Sequence, residues 1–189
     1  MQKRHRIFIA INLPEDIKRE LAKYQDRWPE LPAKWINKDQ LHITLEFLGD
    51  LTDQEMGEVC KITKEVVQRH KAFSISLEKV LYGPPKKFPP RMIWTQGEKS
   101  DDLKDLKEDL QECLLEEIRF RPEGRGFIPH VTLCRISEWE FKKIEPEERP
   151  EVNEDISFFI PVESIEVMES ELKRGGPQYI VIESCPFNE

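Results

Sequence analysis

Apolar and polar positions alternate in some runs of this chain and recur at helical spacing in others, and the two patterns set the expected elements. Ile7, Ile9 and Ile11 alternate with Phe8 and Ala10, the pattern of a strand buried on both faces or nearly so, with Phe8 pointing away from the three isoleucines. After Pro14, suited to a first helical turn, Ile17, Leu21, Tyr24 and Trp28 predict an amphipathic helix ending near Trp28-Pro29. Lys34-Trp35-Ile36 reads as a short strand. In the strand that follows, Leu41, Ile43, Leu45 and Phe47 are expected on one face, and His42, Thr44 and Glu46 on the other. Gly49-Asp50 breaks it. Thr52 and Glu55 have the spacing of a capping box, and Met56, Val59, Cys60, Thr63, Val66 and Val67 mark the stripe of the next helix.

The second half repeats this style. Phe73, Ile75 and Leu77 alternate with Ser74 and Ser76, which predicts a strand up to Tyr82. Four prolines between Gly83 and Pro90 make that stretch a stiff loop. A strand over Arg91-Met92-Ile93-Trp94 follows, and Ser100 caps a helix with Leu103, Leu106, Leu110, Leu114 and Ile118 on one side. Residues 137–154 are charge-rich and read as an exposed loop with a helical turn at most. Strands at 156–160, 162–169 and 179–183 complete the pattern, the last two joined by a turn at 172–177.

One internal repeat stands out. Leu41-His42-Ile43-Thr44-Leu45 and Pro129-His130-Val131-Thr132-Leu133 are near copies, each a strand in which a histidine and a threonine share one face. Two histidines facing a common cleft supply a general base and a general acid near neutral pH, provided one is neutral while the other is protonated. The threonine hydroxyls can hydrogen-bond the nonbridging oxygens of a phosphate between them. That set suits in-line phosphoryl transfer. A serine hydrolase would want a Gly-x-Ser-x-Gly turn, which the chain lacks. A metal hydrolase would want more ligands than Glu46, the one carboxylate expected on the face of His42, so no metal is expected. Phe8 reads either as a core aromatic or as a stacking surface for a nucleobase. Arg119, Arg121 and Arg125, with Gly124 and Gly126, form either a basic cluster leading into the second motif or solvated charges balancing the acidic helix before them.

Size and charge narrow the classes. A chain of 189 residues can bury one core or build two small lobes around a cleft. With 29 basic against 37 acidic residues, the net charge of -8 argues against a sequence-blind binder of long duplex nucleic acid, though not against a pocket for one phosphate. The four cysteines make no Cys-x-x-Cys pair. Only five apolar residues, Ile7 to Ile11, follow the basic amino terminus, too few for a signal peptide or membrane span. A cytoplasmic setting, no membrane contact and a monomer are the expectations.

The paired motifs resemble the twin HxTx motifs of the two-histidine (2H) phosphoesterase superfamily. With Ile7 to Ile11, Leu13-Pro14, Trp35, Leu41 through Gly49, Pro90-Arg91, Trp94, Phe127 through Arg135, Ser170-Glu171-Leu172 and Tyr179, the chain is similar to the RNA 2′,3′-cyclic phosphodiesterases, also called 2′-5′ RNA ligases. The resemblance implies an α+β fold, bilobal and pseudo-twofold, with two mostly antiparallel sheets and outer helices around a central cleft. Residues 1–189 would then form a single domain of two intertwined lobes. It implies opening of RNA 2′,3′-cyclic phosphate ends to 2′-phosphomonoesters without metal or cofactor, acting on RNA 3′ ends or nucleotides and not on DNA. His42 carries over as proton donor to the leaving 3′ oxygen and His130 as acceptor from the attacking water. Thr44 and Thr132 carry over as phosphate contacts, Arg135 as a substrate contact, and Phe8 as a base-stacking residue. Strict alternation puts Arg135 on the face opposite His130, so either the strand ends or bulges before it, or Arg135 is structural. Other readings are a 2H phosphodiesterase acting on 2′,5′-oligonucleotides or small cyclic phosphates, and a non-catalytic module binding nucleotides or RNA ends.

Overall fold

The computed structural model describes residues 3–123, 126–174 and 176–188. Gly124 and Arg125 of the expected basic cluster, and Gly175 of the expected turn, lie outside the described residues. In chain order the regular elements are β1 (His5–Asn12), α1 (Glu15–Ala22), β2 (Ala33–Trp35), β3 (His42–Leu51), α2 (Asp53–Val67), β4 (Phe73–Gly83), β5 (Met92–Gly97), α3 (Asp101–Glu117), β6 (His130–Ile136), α4 (Glu138–Phe141), β7 (Asn153–Val162), β8 (Ser164–Lys173) and β9 (Gly176–Pro186). The strands run in the order β7-β4-β5-β6-β3-β1-β8-β9, with β2 paired on β6. Their pairings are antiparallel. Four strands of this path lie on each side of the junction of β6 and β3, where Ile43 pairs with Val131 and a pseudo-twofold relates the two halves. Where two sheets are expected, the β3–β6 pairing joins the strands into a single nine-stranded sheet, and the fold is α+β as the sequence predicts.

The core follows from the alternation. Ile7, Ile9 and Ile11 are sealed on the helix side with Ile43, Val131, Ile165 and Val167, while Phe8 and Ala10 lie on the other face with Met168. From α2, Val59 and Val66 join this core, and from α3, Leu103, Leu106, Leu110 and Leu114. Each such aliphatic side chain contributes about 1.5–3 kcal/mol by leaving water. The capping box forms as expected, with the Thr52 hydroxyl accepting from the Glu55 N–H and the Glu55 carboxylate accepting from the Thr52 N–H. Ser100 caps α3. The first helix is shorter than its spacing predicts. It tightens after Ala22 into a 3-10 turn over Lys23–Asp26, which still buries Tyr24 and stacks it on Trp28.

Two β-bulges decide which side chains reach the cleft. On β3, Ile9 pairs with Glu46 while Ala10 pairs with Thr44, so Leu45 is an extra residue. On β6, Ile93 pairs with Cys134 while Trp94 pairs with Thr132, so Leu133 is extra. An extra residue resets the alternation beyond it. Glu46 therefore does not share the face of His42. It is 2% exposed on the helix side, bonded to the Lys107 ammonium of α3, which also donates to the Leu45 carbonyl at 2.8 Å. Phe47, expected in the core, emerges on the histidine face, 54% exposed, with its ring 5.8 Å from that of Phe8. In β6 the same reset buries Cys134 and turns Arg135 out on the side of His130 and Thr132. Of the two outcomes left open for Arg135, the bulge is the one realised.

Candidate active site

The histidines occupy equivalent places in the two halves. His42 opens β3 and pairs across to Asn12; His130 opens β6 and pairs across to Gln96. The correspondence continues along the strands, with Ala10 opposite Thr44 and Trp94 opposite Thr132, then Phe8 opposite Phe47 and Met92 opposite Arg135. Each imidazole is oriented by the backbone carbonyl two residues before it. His42 Nδ1 lies 2.7 Å from the Gln40 oxygen and His130 Nδ1 lies 2.8 Å from the Ile128 oxygen. A carbonyl only accepts, so both Nδ1 atoms carry the proton and both Nε2 atoms are left to exchange one. Alternation along the chain gave no sign of these carbonyls, although both stand at the same offset in the repeat.

His42 Nε2 is 3.0 Å from the Thr44 hydroxyl, which donates to it when the ring is neutral and accepts when it is charged. The Thr132 hydroxyl lies 3.8 Å from the Met92 sulfur, a weak acceptor. Both imidazoles titrate below their ordinary value, chiefly because burial penalises the charged ring. For His42 the Gln40 carbonyl partly offsets this, while His130 and Lys18 add repulsion. For His130 the Ile128 carbonyl and the Glu123 carboxylate oppose the shift.

Aromatic rings back both histidines. Phe8 is 5.1 Å from His42 between ring centroids and Tyr179 is 5.2 Å, edge-on. Phe8 is only 2% exposed, closed in by His42, Tyr179 and Phe47. It thus presents no free face to a base, contrary to the expectation from its position, and instead supports the His42 ring. The open aromatic surface beside it belongs to Phe47 and the half-buried Tyr179. On the other side Trp94 lies 4.2 Å from His130 and packs flat over Gly83, where a Cβ would fall 2.6 Å from the indole. Trp94 is buried, and its indole N–H has no partner among the described residues. Its place two residues along β5 from Met92 and Gln96 signals this role, since that parity is the one facing β6's histidine.

With Glu46 turned to the helix side, no carboxylate of that strand stands beside His42. Among the described residues no cluster of three His, Cys, Asp or Glu side chains is placed to hold a metal ion. His70, in the turn after α2, bonds Asp109 of α3 at 2.9 Å, far along the chain from either motif. His5 is likewise engaged elsewhere, its two nitrogens 2.7 Å from Glu169 and 2.9 Å from Asp53. Among the described helices none is long and apolar enough to cross a membrane.

A pseudo-twofold antiparallel sheet with one His-x-Thr strand from each half at its centre defines a two-histidine phosphoesterase. Comparison with known proteins agrees, for the model of the family described as LigT like phosphoesterase matches twice, over residues 11–94 and 97–179, one match to each motif. The chain belongs to this family. An RNA 2′,3′-cyclic phosphodiesterase of Methanocaldococcus jannaschii is 30% identical over 94% of this chain and 98% of its own length. The crystal structure of a Thermus thermophilus protein, TT0787, superposes with a TM-score of 0.82 at 28% identity, covering 96% of this chain and 97% of that one. That of Escherichia coli LigT complexed with 3′-AMP superposes at 0.76 over 99% of this chain and all of the other; at 21% identity it bears on the fold alone.

Proposed function

We propose that this chain, acting as one catalytic unit of two interleaved halves, hydrolyses 2′,3′-cyclic phosphate ends of RNA to 2′-phosphomonoesters. The cyclic phosphate sits between the two Nε2 atoms. His130, neutral, takes a proton from water as its oxygen attacks phosphorus; His42, protonated, gives its proton to the 3′ oxygen as the P–O3′ bond breaks. The Thr44 and Thr132 hydroxyls turn from His42 and Met92 to the nonbridging oxygens, where charge builds up. The ring ester already carries its leaving group, so no protein nucleophile, metal or cofactor takes part. With a ribose 5′ hydroxyl in place of water, the same two transfers would form a 2′–5′ linkage.

The observation that carries this reading is the matched pair of carbonyl-held imidazoles at equivalent register on adjacent strands. Binding alone would not require two proton carriers held in one tautomer. The names of relatives such as that of M. jannaschii support the choice of substrate. The test is turnover of a cyclic-phosphate-ended oligonucleotide with chelator present. Wild-type activity should persist, and His42→Ala and His130→Ala should each lower kcat by about 10²–10⁴-fold while the fold survives. Loss of activity with chelator, or full activity in either variant, would contradict the proposal.

A further inference from the structure

The two halves match in register at the histidines and threonines but not at the fifth residue after each histidine. On β3 that residue is Phe47; on β6 it is Arg135. Because β3 and β6 are antiparallel, these two side chains lie toward opposite ends of the cleft. The Phe47 end is aromatic, with the Phe8 ring 5.8 Å from that of Phe47 and 5.1 Å from that of Tyr179. The Arg135 end is cationic, since β2 places Lys34 directly opposite Arg135. Like charges facing one another across a strand pair are destabilising. Among the described residues neither cation has a carboxylate within ion-pair distance, whereas nearby Arg91 is held by Glu138 at 2.9 Å. An unneutralised cross-strand pair in a chain of net charge -8 makes a local positive potential that favours an anion.

The space beside that pair is a shallow groove of about 530 Å³, bounded by Leu31, Pro32, Lys34, Arg135, Ile136 and Glu140. It adjoins the strand that carries the second motif, β6, where Arg135 pairs with Met92 and the Met92 sulfur lies 3.8 Å from the Thr132 hydroxyl. The Lys34 ammonium also approaches the β8–β9 hairpin, lying 3.3 Å from where a Cβ on Gly176 would be. On the cyclic-phosphate reading above, we infer that this groove receives the nucleotide immediately upstream of the cyclic end, with Lys34 and Arg135 on its phosphodiester. The RNA strand then crosses the cleft in one direction only. The terminal base lies over Phe47 and the upstream chain leaves over β2.

The test compares a 2′,3′-cyclic mononucleotide bearing a 5′ hydroxyl with a dinucleotide ending in the same cyclic phosphate. Wild type should favour the dinucleotide in kcat/KM. Lys34→Ala and Arg135→Ala should each cut kcat/KM on the dinucleotide about tenfold or more, and Lys34→Ala should leave the mononucleotide within about twofold, as expected for a lost charge-assisted hydrogen bond to a group only one substrate has. Lys34→Glu should deepen the selective loss. Phe47→Ala should raise KM for both substrates. Equal loss on the two substrates in Lys34→Ala, or no loss on either, would overturn the inference while leaving the cyclic-phosphate reading in place. Wild type turning over neither substrate would overturn both.

Discussion

In the proposed mechanism each histidine holds a different charge at the moment of reaction, and its surroundings set the pH at which it does so. With the proposed roles, His130 works neutral, so activity should fall on the acid side as it gains a proton, and His42 works protonated, so activity should fall on the alkaline side as it loses one. Burial lowers both. The bell in kcat/KM, which reports the free enzyme, should therefore centre on the acid side of about 6.5, the unperturbed imidazole value. A bound phosphodiester anion favours both imidazolium forms, so the kcat bell should lie at higher pH than the kcat/KM bell. Parallel pH–rate profiles for one cyclic substrate measure both; a kcat/KM optimum well above neutrality would contradict this picture. The histidines and threonines were legible because their chemistry is rare and repeated. Phe8 was legible only as to its face, since a sequence does not say what will cover a ring, and here Tyr179 comes from the far end of the chain.

At the scale of the element, the bulges after each His-x-Thr determine which neighbours the histidines have. Both leave a trace in the sequence. Core residues run at spacing two through Leu41, Ile43 and Leu45, then jump by three to Leu48; they run through Val131 and Leu133, then jump by three to Ile136. Phe47 hides the jump because its hydrophobicity fits uninterrupted alternation, and Cys134 hides it because a thiol passes for either face. No local pattern shows that Lys107, a helix away, pins the first bulge by bonding both the Leu45 carbonyl and the Glu46 carboxylate. Removing one partner of such a buried pair leaves an uncompensated charge. Lys107→Met should destabilise the protein by about 3–5 kcal/mol, while Lys107→Met combined with Glu46→Leu should recover most of that loss. Chemical denaturation of the three proteins checks this; additive losses in the double variant would show that the pair does not hold the bulge.

For the whole molecule, the pseudo-twofold explains how two motifs remote in sequence come to lie on adjacent strands, as the proposed sharing of one phosphate requires. Strand order was beyond the sequence, because β8 and β9 return from the carboxy-terminal end to pair beside β1, and β2 leaves the amino-terminal half to pair on β6. Long-range pairing of this kind has no local signature. The symmetry is chemical only at its centre. Asn12 answers Gln96 and Thr44 answers Thr132, but Ala10 answers Trp94, Phe8 answers Met92 and Phe47 answers Arg135. The two imidazoles thus face different surroundings, as a reaction needing one acid and one base requires. Under the proposed roles, that division sets which ester bond breaks. With His42 giving its proton to the 3′ oxygen, an oligonucleotide ending in a 2′,3′-cyclic phosphate, incubated with the protein and chelator and followed by phosphorus NMR, should yield the 2′-phosphomonoester alone; a 3′-phosphomonoester, or an untouched cyclic end, would contradict the account.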